Sequence, residues 1–309
     1  MITIDGKDIK QEYGCTLLTG SFDSLFRYPG RKSVAYNNWA ESDGIEPDLS
    51  DVLFEPRKIQ LKFLQKSEGI GMFWTLYQRL FSDMSAPGFR TLNIENMTEY
   101  SIRLSAAPEY SIPAPFNQNA NHTVFTLDFT DDTTGITEGN NLPSGNRAPL
   151  GLYEINGRDF GLYGIGSDET QGNIVRYPSV KTPFTDGRTV FPDTVKTSHS
   201  EIRLPLWMAA GSKEEFINNH RAFFSEISKT GVQSFHAGVL GLDVPVYYTD
   251  CTEFRVEKWS DNAVFARFTI VMVIPVITFT QREFLLSSED GLFIVTEQDE
   301  KFIDMMYYG

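Results

Sequence analysis

Two stretches of this chain carry the same features in the same order, and that repetition limits the folds open to it more than any single motif does. Each stretch opens with a short strand-like piece that runs into a glycine turn. The first is Ile2-Thr3-Ile4-Asp5-Gly6, the second Tyr153-Glu154-Ile155-Asn156-Gly157. Asp-Gly and Asn-Gly supply the positive φ that a tight hairpin turn needs. Tyr13-Gly14 and Tyr163-Gly164 follow, and then an identical tripeptide, Arg27-Tyr28-Pro29 and Arg176-Tyr177-Pro178.

An alternating strand comes next in both. Ile59, Leu61 and Phe63 alternate with Lys58, Gln60 and Lys62, and Ile202, Leu204 and Leu206 alternate with Glu201, Arg203 and Pro205. Period-two alternation puts one face in a core and the other towards solvent or a partner. Pro205 cannot donate to a ladder, so the second strand is expected to be an edge or bulged there. One amphipathic helix follows each strand. Ile70, Phe73, Trp74, Tyr77, Leu80, Phe81 and Met84 form the first stripe; Phe216, Phe223, Phe224 and Ile227, with His220 among them, form the second. Ser212 with Glu215 is a capping box, and Ser67 is the expected cap of the first helix. Gly88 and Gly231 stand where each helix should stop. Further strands are expected at Tyr100 to Leu104 and Val244 to Tyr248, then at Glu109-Tyr110 and Glu253-Phe254. Closing strands are expected at Thr123 to Phe129 and Ala263 to Ile274, their mutual register open by one residue.

This order predicts a mainly β, α+β chain of two tandem β-sandwich or split-barrel domains, each with one flanking amphipathic helix. The first domain is residues 1–132 and its second copy 152–275. Residues 133–151, rich in Gly, Asn, Thr and Pro, form a linker, and 276–309 a C-terminal extension with no counterpart between the halves. Length fits two domains of ordinary size, at 309 residues. The aromatic share, 13% with 24 Phe and 13 Tyr, favours strands.

Charge excludes some functions. The formal net charge is −14, whereas a nucleic-acid reader needs a basic face to neutralise phosphates. Acidity also opposes adhesion to anionic membranes. The apolar run from Phe268 to Phe279 is short, contains Pro275, and reads as buried strand. The N-terminal residues lack the basic and apolar regions of a signal peptide, so synthesis in the cytoplasm is expected. Two cysteines, Cys15 and Cys251, make no disulfide framework.

A search for chemistry returns weak candidates. His122, His199, His220 and His236 stand at no metal-ligand spacing, and His220 in an apolar stripe reads as a core histidine. Gly161, Gly164 and Gly166 lack the lysine of a phosphate loop, and Glu169 stands where a dinucleotide motif has its last glycine. Asp128, Asp131 and Asp132 lack calcium-loop spacing and read as a solvated strand end. Asp250 and Glu253 are a carboxylate pair without further support, and their charge opposes a reactive thiol at Cys251. No catalytic residue, metal ligand or cofactor site is therefore expected. The long polar segment before the first core strand stands apart. It carries Arg31, Lys32 and Trp39, and is the candidate interface loop, with Trp39 its anchor. The second half has Thr185-Asp186-Gly187-Arg188 in the corresponding region.

The opening Ile4-Asp5-Gly6 with Tyr13-Gly14, the loop carrying Pro29-Gly30-Arg31-Lys32 and ending in Ser42-Asp43-Gly44, and the helix Gly69 to Met84 inside a β domain resemble phage tail proteins of the tail-tube and distal-tail class. The resemblance implies a β-sandwich or split barrel with one helix, rings around a lumen, and loops reaching the next subunit or ring. The second half departs from it, lacking the Trp39 loop. As expectations, the chain is then a non-enzymatic structural component of a phage or prophage virion tail or baseplate, made in the bacterial host cytoplasm. It would form a homotrimeric or homohexameric ring and meet other tail or baseplate proteins, with no sequence-specific nucleic-acid binding and no membrane association. A two-domain β-sandwich adhesin or carbohydrate binder using Trp39 and Trp259 is the alternative. A hydrolase using Asp128, Asp250 and Glu253 is the third reading.

Overall fold

The two glycine turns start two sheets built alike. In the computed structural model, Asp5 and Gly6 take φ of 49° and 76°, and Asn156 and Gly157 take 51° and 76°, the left-handed pair that a tight hairpin needs. The structure describes residues 1–95, 97–106, 122–133, 142–144, 147–168, 179–181, 184–185, 188–189, 196–238, 241–276 and 280–281. Most of the expected linker, all of the C-terminal extension but Val276, Thr280 and Gln281, the pair Glu109-Tyr110 and the tripeptide Arg176-Tyr177-Pro178 lie outside them.

In the first half the elements are β1 (Ile2–Ile4), β2 (Lys7–Asp8), α1 (Ile9–Tyr13), β3 (Cys15–Leu17), α2 (Ser21–Phe26), β4 (Tyr36–Asn37), β5 (Glu46–Pro47), β6 (Arg57–Lys66), α3 (Ile70–Ser85), β7 (Arg90–Ile94), β8 (Thr98–Ala106) and β9 (His122–Asp131). In the second they are β10 (Tyr153–Ile155), β11 (Arg158–Asp159), a 3₁₀ turn (Phe160–Tyr163), β12 (Ile165–Gly166), β13 (Phe184–Thr185), β14 (Arg188–Thr189), β15 (Ser200–Ala210), α4 (Lys213–Ile227), β16 (Gln233–Ala237), β17 (Leu242–Ser260), β18 (Ala263–Ile274) and β19 (Thr280–Gln281). The first sheet runs β2-β1-β7-β8-β9-β6-β3 and the second β11-β10-β16-β17-β18-β15-β12, with β19 added beside β17. The strand order is the same, every pairing is antiparallel, and the sheets curl into half-barrels. The class is mainly β, as the alternation and aromatic content predict.

Local chemistry explains the shared start. Asp8 caps α1 by accepting from the amides of Lys10 and Gln11, and Asp159 accepts from Gly161. Gly14 and Gly164 end these turns in the left-handed region, where a Cβ would stand 2.7 Å from the Lys66 carbonyl oxygen and 2.4 Å from that of Ala209. Only glycine fits there, because the next strand lies against the turn. Lys66 N–H donates to Gly14 O and Ala209 N–H to Gly164 O, so Lys66 corresponds to Ala209. The register then runs unbroken into the helices. The first turn starts at Gly69 and Ser212, and Phe73, Leu80, Phe81 and Met84 correspond to Phe216, Phe223, Phe224 and Ile227.

The alternation holds in both long strands: Ile59, Leu61 and Phe63, like Ile202, Leu204 and Leu206, are buried. Pro205 sits where β15 has become an edge. Ala209 N–H points to the β12 side, alternation puts the missing N–H of Pro205 on that side too, and β12 stops at Gly166. The closing strands settle into one register, Ile59 opposite Phe129 and Ile202 opposite Met272.

Two expectations are corrected, and three elements add to the sequence reading. Ser67 does not cap α3; its hydroxyl donates to Gly69 O, and Gly69 holds the cap position without a side-chain bond. Ser212 does accept from Glu215 N–H, while Glu215 reaches back to Gly211 N–H. Val244 to Tyr248 and Glu253-Phe254 are one strand, β17, bulged between Tyr248 and Asp250, Thr252 and Arg255, and Val256 and Lys258. The five-residue strands β7 and β16, each between a helix and the next strand, carry too little alternation to stand out in the sequence. Finally, α2 occupies part of the stretch between Tyr13-Gly14 and the Arg-Tyr-Pro motif, to which the sequence reading assigns no element. Its Phe22, Leu25 and Phe26 belong to one buried cluster that runs through both halves.

Candidate functional site

The described surface offers little convergent chemistry, because most reactive groups are already held by neighbours. His220 is buried in α4, and its Nε2 donates to Phe26 O at 2.8 Å. Burial, helped by the nearby Arg57 charge, lowers its pKa to about 3, so the ring is neutral. His236 Nδ1 lies 2.8 Å from Asp243, and His199 packs beside the Tyr36 ring. Burial pushes the thiols of Cys15 and Cys251 up to about 12, which disables them as nucleophiles.

The acidic cluster is dispersed. Asp128 accepts from Gln60, Asp131 from Thr133, and Asp132 is held by Arg103. Among the described residues no three His, Cys, Asp or Glu side chains converge as a metal site. Asp250 accepts from Cys251 N–H and Glu253 from the Thr269 hydroxyl, so the pair does not share a target. Glu253 lines a cleft of about 250 Å³ with Asp168, Trp207 and Arg267, and Arg267 is already paired with Asp168 and Glu257. The glycines that resemble a phosphate loop are packing positions. A Cβ at Gly161 would strike Leu150, and one at Gly166 would strike the Trp207 ring.

What is built with care is the contact between the halves. Phe22 and Phe26 of α2 pack on Trp259 at centroid distances of 4.8 and 5.1 Å, and Phe26 meets Phe216 edge-on at 5.3 Å. The Tyr28 ring lies flat on Phe224, centroids 4.4 Å apart and planes 9° apart. Polar bonds fix the register. Arg27 Nε donates to Cys251 O at 2.9 Å, the Tyr248 hydroxyl to Pro29 O at 3.1 Å, Arg31 N–H to Thr249 O at 2.7 Å, and Val256 N–H to Asp23 at 2.7 Å. Thr249, Cys251 and Val256 lie along the bulged stretch of β17, where main-chain groups are released from the ladder and become available to the first half. Opposite them, Lys213 of α4 pairs with Glu95 in the β7–β8 turn.

The candidate interface loop is the other part of this contact. Arg31 is turned inward at 8% exposure: its guanidinium donates to Asp51 O and lies 5.9 Å from the Tyr247 ring centroid. Lys32 is exposed, with its backbone N–H on Leu53 O. Trp39 is 48% exposed, and its indole donates to Glu46 across the β4–β5 hairpin. The loop tip is then strapped to the second half. Lys181 Nζ donates to the carbonyls of Trp39, Ser42 and Gly44 at 2.8, 2.9 and 2.6 Å. Asp43 accepts from Thr197 N–H and pairs with Lys196. Gly44 donates to Thr197 O and Ile45 to Pro275 O. Below the strap, Ile45 and Leu49 bury themselves against Tyr247 and Val273. Of the three loop residues read from the sequence, the structure thus leaves Trp39 and Lys32 on the surface and puts Arg31 inside.

Trp259 is no surface aromatic; it is stacked between α2 and α4 and roofed by Lys213 at 5.6 Å. Sequence reasoning missed α2, Asp43 and Lys181. Two sequence signals fall in this contact: the long polar loop of Arg31, Lys32 and Trp39, and the Arg-Tyr-Pro tripeptide, whose first copy supplies Arg27 and Tyr28 to it.

No protein-family model matches the chain, and no curated protein sequence does. Among solved structures, it is similar to the Dit protein (gp 19.1) of phage SPP1, described as a paradigm of the hub adsorption apparatus in phages that infect Gram-positive bacteria. The likeness has 10% identity, covers 88% of this chain and 98% of that one, and has a TM-score of 0.31, too low to bear on function.

Proposed function

We propose that this protein is a non-enzymatic structural component of a phage or prophage tail or baseplate, and that it assembles as a homotrimeric or homohexameric ring around the DNA channel. The observation that carries the reading is the contact between two sheets of equal strand order. It joins unlike surfaces: α2, Tyr28 and the long loop on one side, α4 and bulged β17 on the other. Such a contact is not self-complementary, so the same contact made between chains propagates head to tail and ends in a ring when the rotation closes. Three chains then supply six similar sheets; six supply twelve.

Two further features support it. The motifs of the first half resemble those of tail-tube and distal-tail proteins, and the net charge of −14 lets a channel wall release passing DNA. Other tail or baseplate proteins are the natural partners of such a ring, with the exposed Trp39 and Lys32 available to them.

Light scattering of the full chain over a concentration series, with negative-stain images of the largest species, tests this. A trimer or hexamer with a central hole is expected. A chain that stays monomeric at every concentration, or an oligomer with no hole, overturns the ring.

A further inference from the structure

We propose that the outer face of the first sheet, at Lys58, Lys62 and Lys66 of β6, is the seat for the acidic Trp39 hairpin of a second copy of this chain. The inference rests on the ring reading above and narrows the partner of that hairpin to the next copy in the ring.

Alternation along β6 sends Ile59, Leu61 and Phe63 into the core and Lys58, Gln60, Lys62, Leu64 and Lys66 outward. Leu64 lies opposite Val124 of β9, which is 37% exposed, so an apolar pair sits between Lys62 and Lys66. Among the described residues none of the three lysines is in an ion pair. Asp128 on the neighbouring strand is already taken by Gln60. A chain of net charge −14 thus keeps three unpaired cations on one sheet face. The second half does not repeat them. Lys66 corresponds to Ala209, and so Lys62 to Pro205 and Lys58 to Glu201. The lysine face therefore belongs to the first half alone.

The occupant follows from charge and from the way the hairpin is held. Residues 41–55 carry six acids, Glu41, Asp43, Glu46, Asp48, Asp51 and Glu55, and no Lys or Arg. Asp43 is engaged by Lys196 and Thr197, and Glu46 by the Trp39 indole. Glu41, Asp48 and Asp51 are exposed and in no ion pair among the described residues. Trp39, 48% exposed, gives this acidic hairpin an apolar centre. The lysine face is the reverse, cations about an apolar pair, and opposite potentials steer two surfaces together and fix their register. The hairpin does not turn back to its own first sheet, because Lys181, Thr197 and Pro275 hold its tip on the second half. It moves with that half, and the first sheet it meets is that of another copy. One hairpin and one lysine face per chain, on unlike halves, make a head-to-tail contact, the kind that closes a ring. A tip already held in place also loses less freedom on docking.

The test follows assembly of the full chain by light scattering across a concentration series. It compares the natural chain, Lys62→Glu with Lys66→Glu, and that pair combined with Glu41→Lys and Asp48→Lys. The lysine pair variant is expected to keep the natural circular dichroism spectrum and to associate roughly tenfold more weakly or worse, because like charges then face each other. The combined variant, with both signs exchanged, should recover the natural mass. Restoring the net charge at Glu12 and Glu201 instead should not. A lysine pair variant that assembles like the natural chain overturns the docking and leaves the ring standing, and so does an equal recovery through Glu12 and Glu201. Normal assembly with lost affinity for double-stranded DNA gives the face to phosphates and overturns it as well. A natural chain that stays monomeric at every concentration overturns both readings. Should the lysine pair variant misfold, Lys62→Gln with Lys66→Gln decides in the same way: weaker association supports the docking, and natural association overturns it.

Discussion

Helices α3 and α4 occupy the same place in two sheets of the same order, yet the chain treats them differently. On α4 nine side chains are buried, among them Asn219, His220 and Glu226; on α3 only Phe73, Leu80 and Met84 are. The more apolar helix is the less buried one. Packing on its own sheet accounts for the shared part, Phe73 with Phe216, Leu80 with Phe223 and Met84 with Ile227. Of the rest, His220 and Phe224 are covered by Phe26 and Tyr28 of the other half, while Asn219 bonds to Ser144 and Glu226 to Asn156 and Arg158. A helix position in a fold therefore fixes one buried face, and a second is set by what the chain or its neighbours lay over it.

The largest expected effect tests that difference directly. Phe224→Ala removes a fully buried ring from the contact between the halves and should cost about 3–5 kcal/mol in urea unfolding of the purified chain. Phe81→Ala, at the matching position of α3, should cost less than about 1 kcal/mol under conditions where the chain is monomeric. Equal costs would break the comparison, because they would mean that the two faces are covered alike.

How much of this was legible in sequence follows from the same physics. The turns at Asp5-Gly6 and Asn156-Gly157, the alternation of Ile59 to Phe63 and Ile202 to Leu206, and both helical stripes are local patterns with a fixed period, and they survive folding unchanged. Strand β17 did not read as one element, since each bulge resets which face its side chains take. Helix α2 has only six residues, too few for a stripe to show a period. The site was legible through the long polar loop before β6 and through Arg27-Tyr28-Pro29, a repeated string rather than a periodic one. Arg31 illustrates the limit. A basic residue in a polar loop reads as exposed, and here the aromatic Tyr247, more than two hundred positions away, draws it inward.

Acid should separate the halves' two helices next. The folded pKa of His220, about 3, lies below its ordinary value of 6.5, so the folded state prefers the neutral ring. Its contribution is complete above pH 6.5 and is lost as the pH falls from there towards 3, because the unfolded chain takes up the proton first. About 3 kcal/mol should disappear between neutral pH and pH 4 on this account alone. Unfolding of His220→Phe across that window should be flatter than that of the natural chain by this amount. Identical slopes would show that acid acts elsewhere. No such term arises on α3, where the matching residue is Tyr77.

Gly44 gives a smaller effect. At φ +69° it presses on the second half, and a Cβ would stand 2.0 Å from Pro275 O. Gly44→Ala should cost about 2 kcal/mol by thermal or urea unfolding. The comparison site is Gly88 after α3, which also has positive φ but nothing within 4 Å. Gly88→Ala meets the conformational strain without the clash and should cost less. A Gly44→Ala chain no less stable than Gly88→Ala would mean that the loop lifts away from the second half without loss.

The smallest effect concerns the strap itself. Lys181 of the second half donates three hydrogen bonds to carbonyls of the first, on Trp39, Ser42 and Gly44. A charged donor strengthens each bond, but the ammonium is partly solvated and surrenders water to make them, so the net gain is much less than three separate bonds. Lys181→Met keeps the aliphatic stem and removes only the donors, and should cost about 1 kcal/mol. Its more informative readout is local. With the strap gone, the amides of Gly44 and Ile45, which bond to Thr197 O and Pro275 O, should exchange with solvent faster, while amides in α4 under Tyr28 should not change. That pattern would separate the contact into a dispensable strap and an aromatic centre. Faster exchange in α4 as well would show that the loop and the Tyr28–Phe224 stack open together, and that the two halves are held by one cooperative surface.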